Sequence, residues 1–271
     1  MAKDNWFGES FRKVHVIFEA PEWSENNGEN FNAKEFICLL KDSQVTAIEF
    51  YTKMILGQAA YKTDARPVLA RDILGELLEE AHAQGIKVIA YYCVSLEEWM
   101  IKAYPQWRSV DAKGKQNEAW GWKRVCINSP AGDFIYKDIE HIASNYDIDG
   151  MWLDHVGTQS TYYPNFNIGQ GCYCEFCRNS FQKLYGRPMP EQSDSVKDKV
   201  DLYTFRQNIR VNYIKNCAKI IKKHRPKALV SWNHAGDFWD WLGGHDDLKE
   251  YADYYSNEAH YPQANTRLAV L

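Results

Sequence analysis

The chain has 271 residues, 45% of them hydrophobic and 25% charged, with a net charge of −4 at pH 7. That length accommodates one large α/β domain or two small ones, and the acidic balance argues against a protein that binds nucleic acid through phosphate contacts. No apolar run approaches a membrane span and the start, Met1-Ala2-Lys3-Asp4-Asn5, lacks a signal-peptide core, so no membrane association and a cytoplasmic, reducing setting are expected.

Strands and helices alternate along the chain. Val14–Glu19 reads as an apolar strand, followed by a helix over Ala33–Lys41 with Asn32 as its N-cap. Val45–Tyr51 is a second strand. Asp72–Gln84 places Ile73, Leu77, Leu78 and Ala81 at helical spacing and stops at Gly85, a natural terminator. Ile86–Cys93 is a third strand, nearly continuous in apolar residues, as expected of a strand covered on both faces. A long irregular stretch from Ser95 to Asn128 leads to a helix over Gly132–Ser144 and a fourth strand, Gly150–Asp154. A second excursion, His155 to about Ser195, precedes a long helix over Ser195–His224 that ends before Pro226. Ala228–Trp232 is a fifth strand, Asp246–Tyr251 a short helix and Asp253–Ser256 a sixth strand.

Six βα units in series, with no change of composition between them, point to an α/β fold of the (β/α)8 TIM-barrel type, with 1–271 as one barrel domain. A doubly wound open sheet is weakened by the lack of a Gly-rich phosphate loop after the first strand. Two strands of an eight-fold barrel are still owing at Leu271. Either the chain is a fragment of a longer protein, or the barrel is incomplete, or another chain completes it, for which a homo-oligomer would suffice.

Asp154 closes the run Ile148-Asp149-Gly150-Met151-Trp152-Leu153-Asp154, an apolar strand ending in a carboxylate. The carboxyl ends of parallel strands are where barrels bind ligands, so this group is expected to face a pocket. Other carboxylates at expected strand ends are Glu19, Asp237 and Glu258. Glycosidases work with two carboxyl groups, about 5–5.5 Å apart when configuration is retained. Asp154 and Glu258 form the favoured pair, with Glu19 placed to bind substrate hydroxyls. Lys53, Tyr91, Tyr92, Asn128, Trp152, His155, Asn233, His234 and His260 lie on the same rim or beside these groups and complete the expected substrate-binding set.

Ten Trp, seventeen Tyr and twelve Phe add to the picture, because many fall in connections: Trp99, Trp107, Trp120, Trp122, Tyr162, Tyr163, Phe238, Trp239 and Trp241. Carbohydrate sites use such rings against the apolar faces of sugars, although packing under long loops is the simpler account.

Cys172-Tyr173-Cys174-Glu175-Phe176-Cys177 brings three thiols within six residues, on the loop after the fourth strand. Cys126, on the loop after the third, can converge with them on one rim. Four thiolates suit a closed, structural Zn2+ site better than an iron–sulfur cluster, whose usual spacing differs. Cys38, Cys93 and Cys217 read as small buried hydrophobes.

The segments Glu19-Ala20-Pro21, Ile48–Lys53, Gly85–Tyr92 before Glu98-Trp99, Cys126–Pro130, Asp149–Asp154 and Cys172–Cys177 together resemble the family called hypothetical glycosyl hydrolase 6, over about residues 14 to 262. The four cysteines are similar to the zinc site of family 42 β-galactosidases. Those enzymes carry an Asn-Glu acid/base at the end of the fourth strand, where this chain has Leu153-Asp154. Lys53, the Tyr91–Trp99 region and Trp152–Asp154 look instead like retaining α-L-fucosidases, whose nucleophile is an Asp at this place. The resemblance thus implies a carbohydrate substrate and Asp154 as nucleophile; Glu258 as general acid/base follows from position alone. Two other readings remain: a non-catalytic carbohydrate-binding or inactive truncated barrel, and an isomerase or aldolase using Lys53 as a base or Schiff-base amine.

Overall fold

A computed structural model describes residues 6–157, 168–233 and 246–254. The parallel sheet runs β1 (Lys13–Val16), β2 (Ala47–Tyr51), β3 (Lys87–Cys93), β6 (Gly150–Asp154) and β7 (Leu229–Trp232), in that spatial order. A short antiparallel hairpin, β4 (Glu118–Ala119) with β5 (Trp122–Lys123), decorates the connection after β3. The helices are α1 (Trp6–Glu9), α2 (Ala33–Asp42), α3 (Ile73–Ala83), α4 (Glu98–Ala103), α5 (Pro130–Asn145), α6 (Glu175–Tyr185) and α7 (Val196–His224). Each strand lies beside the next in sequence order, with a helix in every crossover, which is the (β/α)-barrel arrangement left incomplete at five strands among the described residues.

Strand alternation divides the core into two layers. Ile48, Phe50, Val88, Ala90, Met151, Leu153, Val230 and Trp232 point outward and pack under the helices, against Ile37, Leu74, Leu77, Ile135, Ile139, Ile214 and Ile221. Tyr51, Ile89, Tyr91, Cys93 and Trp152 point to the other face, which would be the barrel interior. The register pairs Tyr91 with Trp152 and Cys93 with Asp154, so these residues form adjacent rows on the inner face.

Local signals explain the helix ends. Asn32 accepts the amide of Glu35 at 3.1 Å and Asp72 that of Gly75 at 3.1 Å, each an N-cap for the helix that follows. Ser129 caps α5, with Pro130 in the first turn, where a missing N–H costs nothing. Gly85 follows α3 at φ 72°, the left-handed conformation that turns the chain into β3.

Differences from the sequence reading are local. β1 is shorter than Val14–Glu19: its pairing with β2 runs from Lys13 to Val16 and stops there, and Ile17 is exposed. The stretch from Ser95 to Asn128 contains α4 and the hairpin, both too short for a periodic signal. Of the sixth strand expected over Asp253–Ser256, Asp253 and Tyr254 run beside β7 without being assigned to a strand, while the last two residues lie outside the described region. The Asp253 amide donates to Val230 O at 2.8 Å and the Ser231 hydroxyl to Tyr254 O at 2.7 Å. Cys93 and Cys217 are buried as expected, but Cys38 is exposed, because it lies on the outward side of α2. No described helix is long and apolar enough to cross a membrane.

Candidate active site and metal centre

Asp154 ends β6, whose five residues are all buried, and is itself only 3% exposed. A carboxylate there must be satisfied by hydrogen bonds. Its Oδ2 accepts the Tyr91 hydroxyl at 2.5 Å, and its Oδ1 accepts the His155 amide at 2.8 Å and Asn233 Nδ2 at 3.1 Å. His155 Nε2 stands 3.2 Å from Oδ2. His155 adopts φ 53°, a conformation uncommon outside glycine, which turns the chain sharply at the strand end. Tyr91 stacks on Tyr51 with centroids 3.9 Å apart, and Trp152 lies 5.2 Å from Tyr91. Of the residues expected at the site, Tyr91, Trp152, His155 and Asn233 therefore do gather around Asp154.

The electrostatics of this group follow from burial. Tyr91 is pushed well above the usual phenol range, first by desolvation and then by neighbouring negative charge, so it remains a donor. His155 is lowered to about 4 by burial, with Arg124 and Lys53 adding to the fall and Asp154 opposing it. The imidazole is accordingly neutral at pH 7. Burial also raises the Glu19 carboxyl, an effect only partly offset by the Ile55 amide, which donates to Oε2 at 2.6 Å, and by Lys53. Glu19 Oε1 is buried and has no hydrogen-bond partner among the described residues.

Lys53 and Tyr92 lie elsewhere. Lys53 is fully buried, with Nζ 3.1 Å from Glu97 Oε2 and donating to Leu96 O at 3.2 Å. Arg66 bridges the same Glu97 oxygen at 2.8 Å and Asp138 Oδ2 at 2.7 Å, and Tyr92 donates to that Asp138 oxygen at 2.7 Å. Tyr92 thus points away from Tyr91, into the layer between sheet and α5. Desolvation alone would raise Glu97, but Lys53 and Arg66 outweigh it and hold its carboxyl below the ordinary range. This environment suits a structural cation and gives a Schiff-base reading of Lys53 no support. The loop it fixes reaches the site: Ser95 donates to His155 O at 2.6 Å and receives Arg124 Nη1 at 2.6 Å.

The sequence reading passed over Glu97, Arg66, Ser95 and Arg124, none of which belongs to a motif. Trp120, one of the loop aromatics, is 66% exposed with its ring 5.4 Å from His155, and gives the site a flat apolar face. Glu258, His234 and His260 lie outside the described residues, as do Asp237, Tyr162, Tyr163, Phe238, Trp239 and Trp241.

The four expected cysteines converge. The sulfurs of Cys126, Cys172, Cys174 and Cys177 all lie within 4.8 Å of one another, and all four residues are buried. Cys126 and Cys177 sulfurs are 3.5 Å apart, close to the roughly 3.8 Å edge of a tetrahedron with zinc–sulfur bonds of about 2.3 Å, and too far for a disulfide. Two loops are tied together to achieve this. Cys126 N–H donates to Trp107 O at 2.8 Å, Tyr173 N–H to Val110 O at 2.7 Å, and Asn117 Nδ2 to Gly171 O at 2.8 Å. Cys174 then stands at the N-terminal boundary of α6, whose first turn supplies Cys177. Hydrogen bonds from Cys126 and the other two thiols pull Cys172 well below the usual thiol range, while Cys126 is pushed up by the same contacts. Four buried thiols without a cation cannot ionise together, whereas a metal ion would let them; the group can hold one such ion. Asn128 belongs here, not beside Asp154: its Nδ2 lies 3.2 Å from Ser180 Oγ and 3.7 Å from Cys177 Sγ.

The incomplete parallel barrel is similar in fold to TIM-barrel glycosidases. Residues 32–155, a little under half of the chain, match the model of the family described as hypothetical glycosyl hydrolase 6. This stretch contains Asp154 and Cys126 but ends before the cysteine run and is narrower than the extent read from the motifs. Among solved structures, α-L-fucosidase isoenzyme 2 from Paenibacillus thiaminolyticus is 26% identical with a TM-score of 0.69, over 83% of this chain and 32% of that one. The β-galactosidase of Rahnella sp. R3 is 15% identical with a TM-score of 0.65, over 92% of this chain and 39% of its own. The β-galactosidase from Bacillus circulans sp. alkalophilus is 15% identical with a TM-score of 0.63, over 96% and 42% respectively. The last two likenesses are of fold. This chain spans between about a third and two fifths of the length of these three proteins. No curated protein matches it in sequence.

His155 titrates at 6.5 when unperturbed and at about 4 here, so the unfolded chain takes up its proton first as pH falls. The stability supplied by neutral burial is complete above pH 6.5 and is lost toward pH 4, by up to about 3 kcal/mol. Urea midpoints at neutral and acidic pH should fall further for the wild type than for His155→Gln; equal falls would remove His155 as the source. Glu97→Ala leaves Lys53 and Arg66 short of an anion and should cost about 3–5 kcal/mol. A change below about 1 kcal/mol in urea unfolding would contradict the pairing.

Proposed function

We propose that this chain forms the barrel of a retaining glycoside hydrolase of α-L-fucosidase type, with Asp154 as the nucleophile. The observation that carries the reading is the place and setting of Asp154. It closes a parallel strand on the inner face and is held through both oxygens by Tyr91, Asn233 and the His155 amide. It also falls inside the segment that matches a glycosyl hydrolase family.

In this reading Asp154 attacks the anomeric carbon and forms a glycosyl-enzyme ester while the leaving oxygen takes a proton from an acid. Glu258, by its position in the chain, is that acid. As a base it then deprotonates the water that opens the ester, returning Asp154 as a carboxylate. The hydrogen bonds from Tyr91 and Asn233 hold the nucleophile in one orientation and stabilise the charge it regains when the ester breaks. The His155 ring, neutral at pH 7, stands 3.2 Å from Oδ2 without the full charge that would quench the nucleophile. Glu19 Oε1, buried and without a partner among the described residues, can accept a sugar hydroxyl. Trp120 can stack on an apolar sugar face.

The four cysteines complete the proposal as a structural Zn2+ site, in which four ligands leave no position for a reacting water. Their work is to fix the loops after β3 and β6, one of which leads into the candidate site through Arg124 and Ser95.

Asp154→Asn should lower turnover of an aryl α-L-fucoside on the order of 10⁴-fold while leaving the circular dichroism spectrum unchanged. Full turnover in that variant would reject the assignment. Binding of L-fucose without turnover in the wild type would point instead to a carbohydrate-binding barrel. Metal analysis of the purified protein should find about one zinc per chain, and chelation should lower the melting temperature. A metal-free protein with four titratable thiols and unchanged melting would remove the zinc site.

A further inference from the structure

A second buried cation has no anion beside it among the described residues. Arg206, on α7, is only 3% exposed, yet its contacts among the described residues are all neutral. Its Nη2 donates to Gln170 O, and its Cζ lies 5.5 Å from the centroid of the Tyr173 ring. Its Nε is buried without a hydrogen-bond partner. Lys53 and Arg66, which are comparably buried, both pair with Glu97. A guanidinium cannot relieve its burial by losing a proton, so an unpaired one is costly and calls for an anion close by.

The backbone is shaped around this cation. Gly171 adopts φ +86°, and a side chain there would place its Cβ 2.8 Å from Arg206 Cζ. The guanidinium thus lies directly against the residue that precedes Cys172. Burial lowers the affinity of Arg206 for its proton. A divalent ion held by four thiolates leaves the centre a net dianion, which is the anion that Arg206 lacks.

We propose that Arg206 is the buried counter-cation of a metal–tetrathiolate centre at Cys126, Cys172, Cys174 and Cys177, so that binding of the metal ties the Gln170–Tyr173 turn to helix α7. This rests on the reading of the four cysteines as a metal site. Arg206 touches no ligand atom in this role: it is a positioning and charge-balancing residue, and its contribution is conditional on the loaded centre. With the metal absent, the same buried charge is a burden on the fold.

Zinc affinity, measured at pH 7 by competition with a chromophoric chelator, tests the proposal together with thermal unfolding of the loaded and metal-free proteins. Arg206→Met should bind zinc about 10-fold or more weakly than the wild type, Arg206→Lys should recover most of that loss, and metal-free Arg206→Met should melt no earlier than metal-free wild type. If Arg206→Met does not fold, Arg206→Gln, which removes the charge but keeps hydrogen-bonding groups, takes its place. Zinc affinity unchanged in the neutral variant, failure of Arg206→Lys to recover it, or equal destabilisation of loaded and metal-free forms would each overturn the role of Arg206. Wild-type protein that takes up no zinc would overturn the metal reading itself.

Discussion

The carboxylate of Asp154 ends a strand in which every residue is buried, and a charge in that position persists only if both oxygens are held. Tyr91 reaches it from the neighbouring strand, Asn233 from just beyond β7, and His155 from the next residue of its own chain. The parallel register makes this possible by setting Tyr91, Cys93, Trp152 and Asp154 on one face. The left-handed conformation of His155 and the placement of the half-buried Asn233 both serve to satisfy that carboxylate.

Charge also does for the loops what secondary structure does for the strands. The connections after β2 and β3 are locked by Lys53, Glu97, Arg66 and Asp138, a buried set in which each cation meets a carboxylate. The connections after β3 and β6 meet at four cysteines, with Arg206 lying against the adjoining turn. The first set is complete in itself. The second brings together four buried thiols that could hold a metal ion, and under the proposal made for Arg206 it is balanced when that ion binds. Both converge on the Ser95–Arg124 region, from which Ser95 bonds to His155, so loop anchoring and site geometry share a physical path.

Much of the framework was legible in the sequence because it rests on periodic or punctuated signals. Apolar runs marked the strands, Asn32 marked a helix start, and the spacing of Cys172, Cys174 and Cys177 marked a ligand cluster that Cys126 joins. Position on the rim was less informative about direction. Tyr91 and Tyr92 are adjacent, yet one bonds Asp154 and the other Asp138 on the opposite side of the sheet. Asn128 was placed with the substrate-binding groups, but the turn into α5 directs it to Ser180 and Cys177. Arg66, Asp138 and Arg206 left no signal, since buried ion partners far apart in sequence obey no spacing rule.

The central claim, that Asp154 is a glycosidase nucleophile, is tested most directly by trapping its ester. Incubation with 2-deoxy-2-fluoro-α-L-fucosyl fluoride, whose fluorine slows breakdown of the glycosyl-enzyme, followed by peptide mass spectrometry, should find a single fluorofucosyl adduct on Asp154. Protein that stays unlabelled, or that carries the adduct on another residue, would contradict the account.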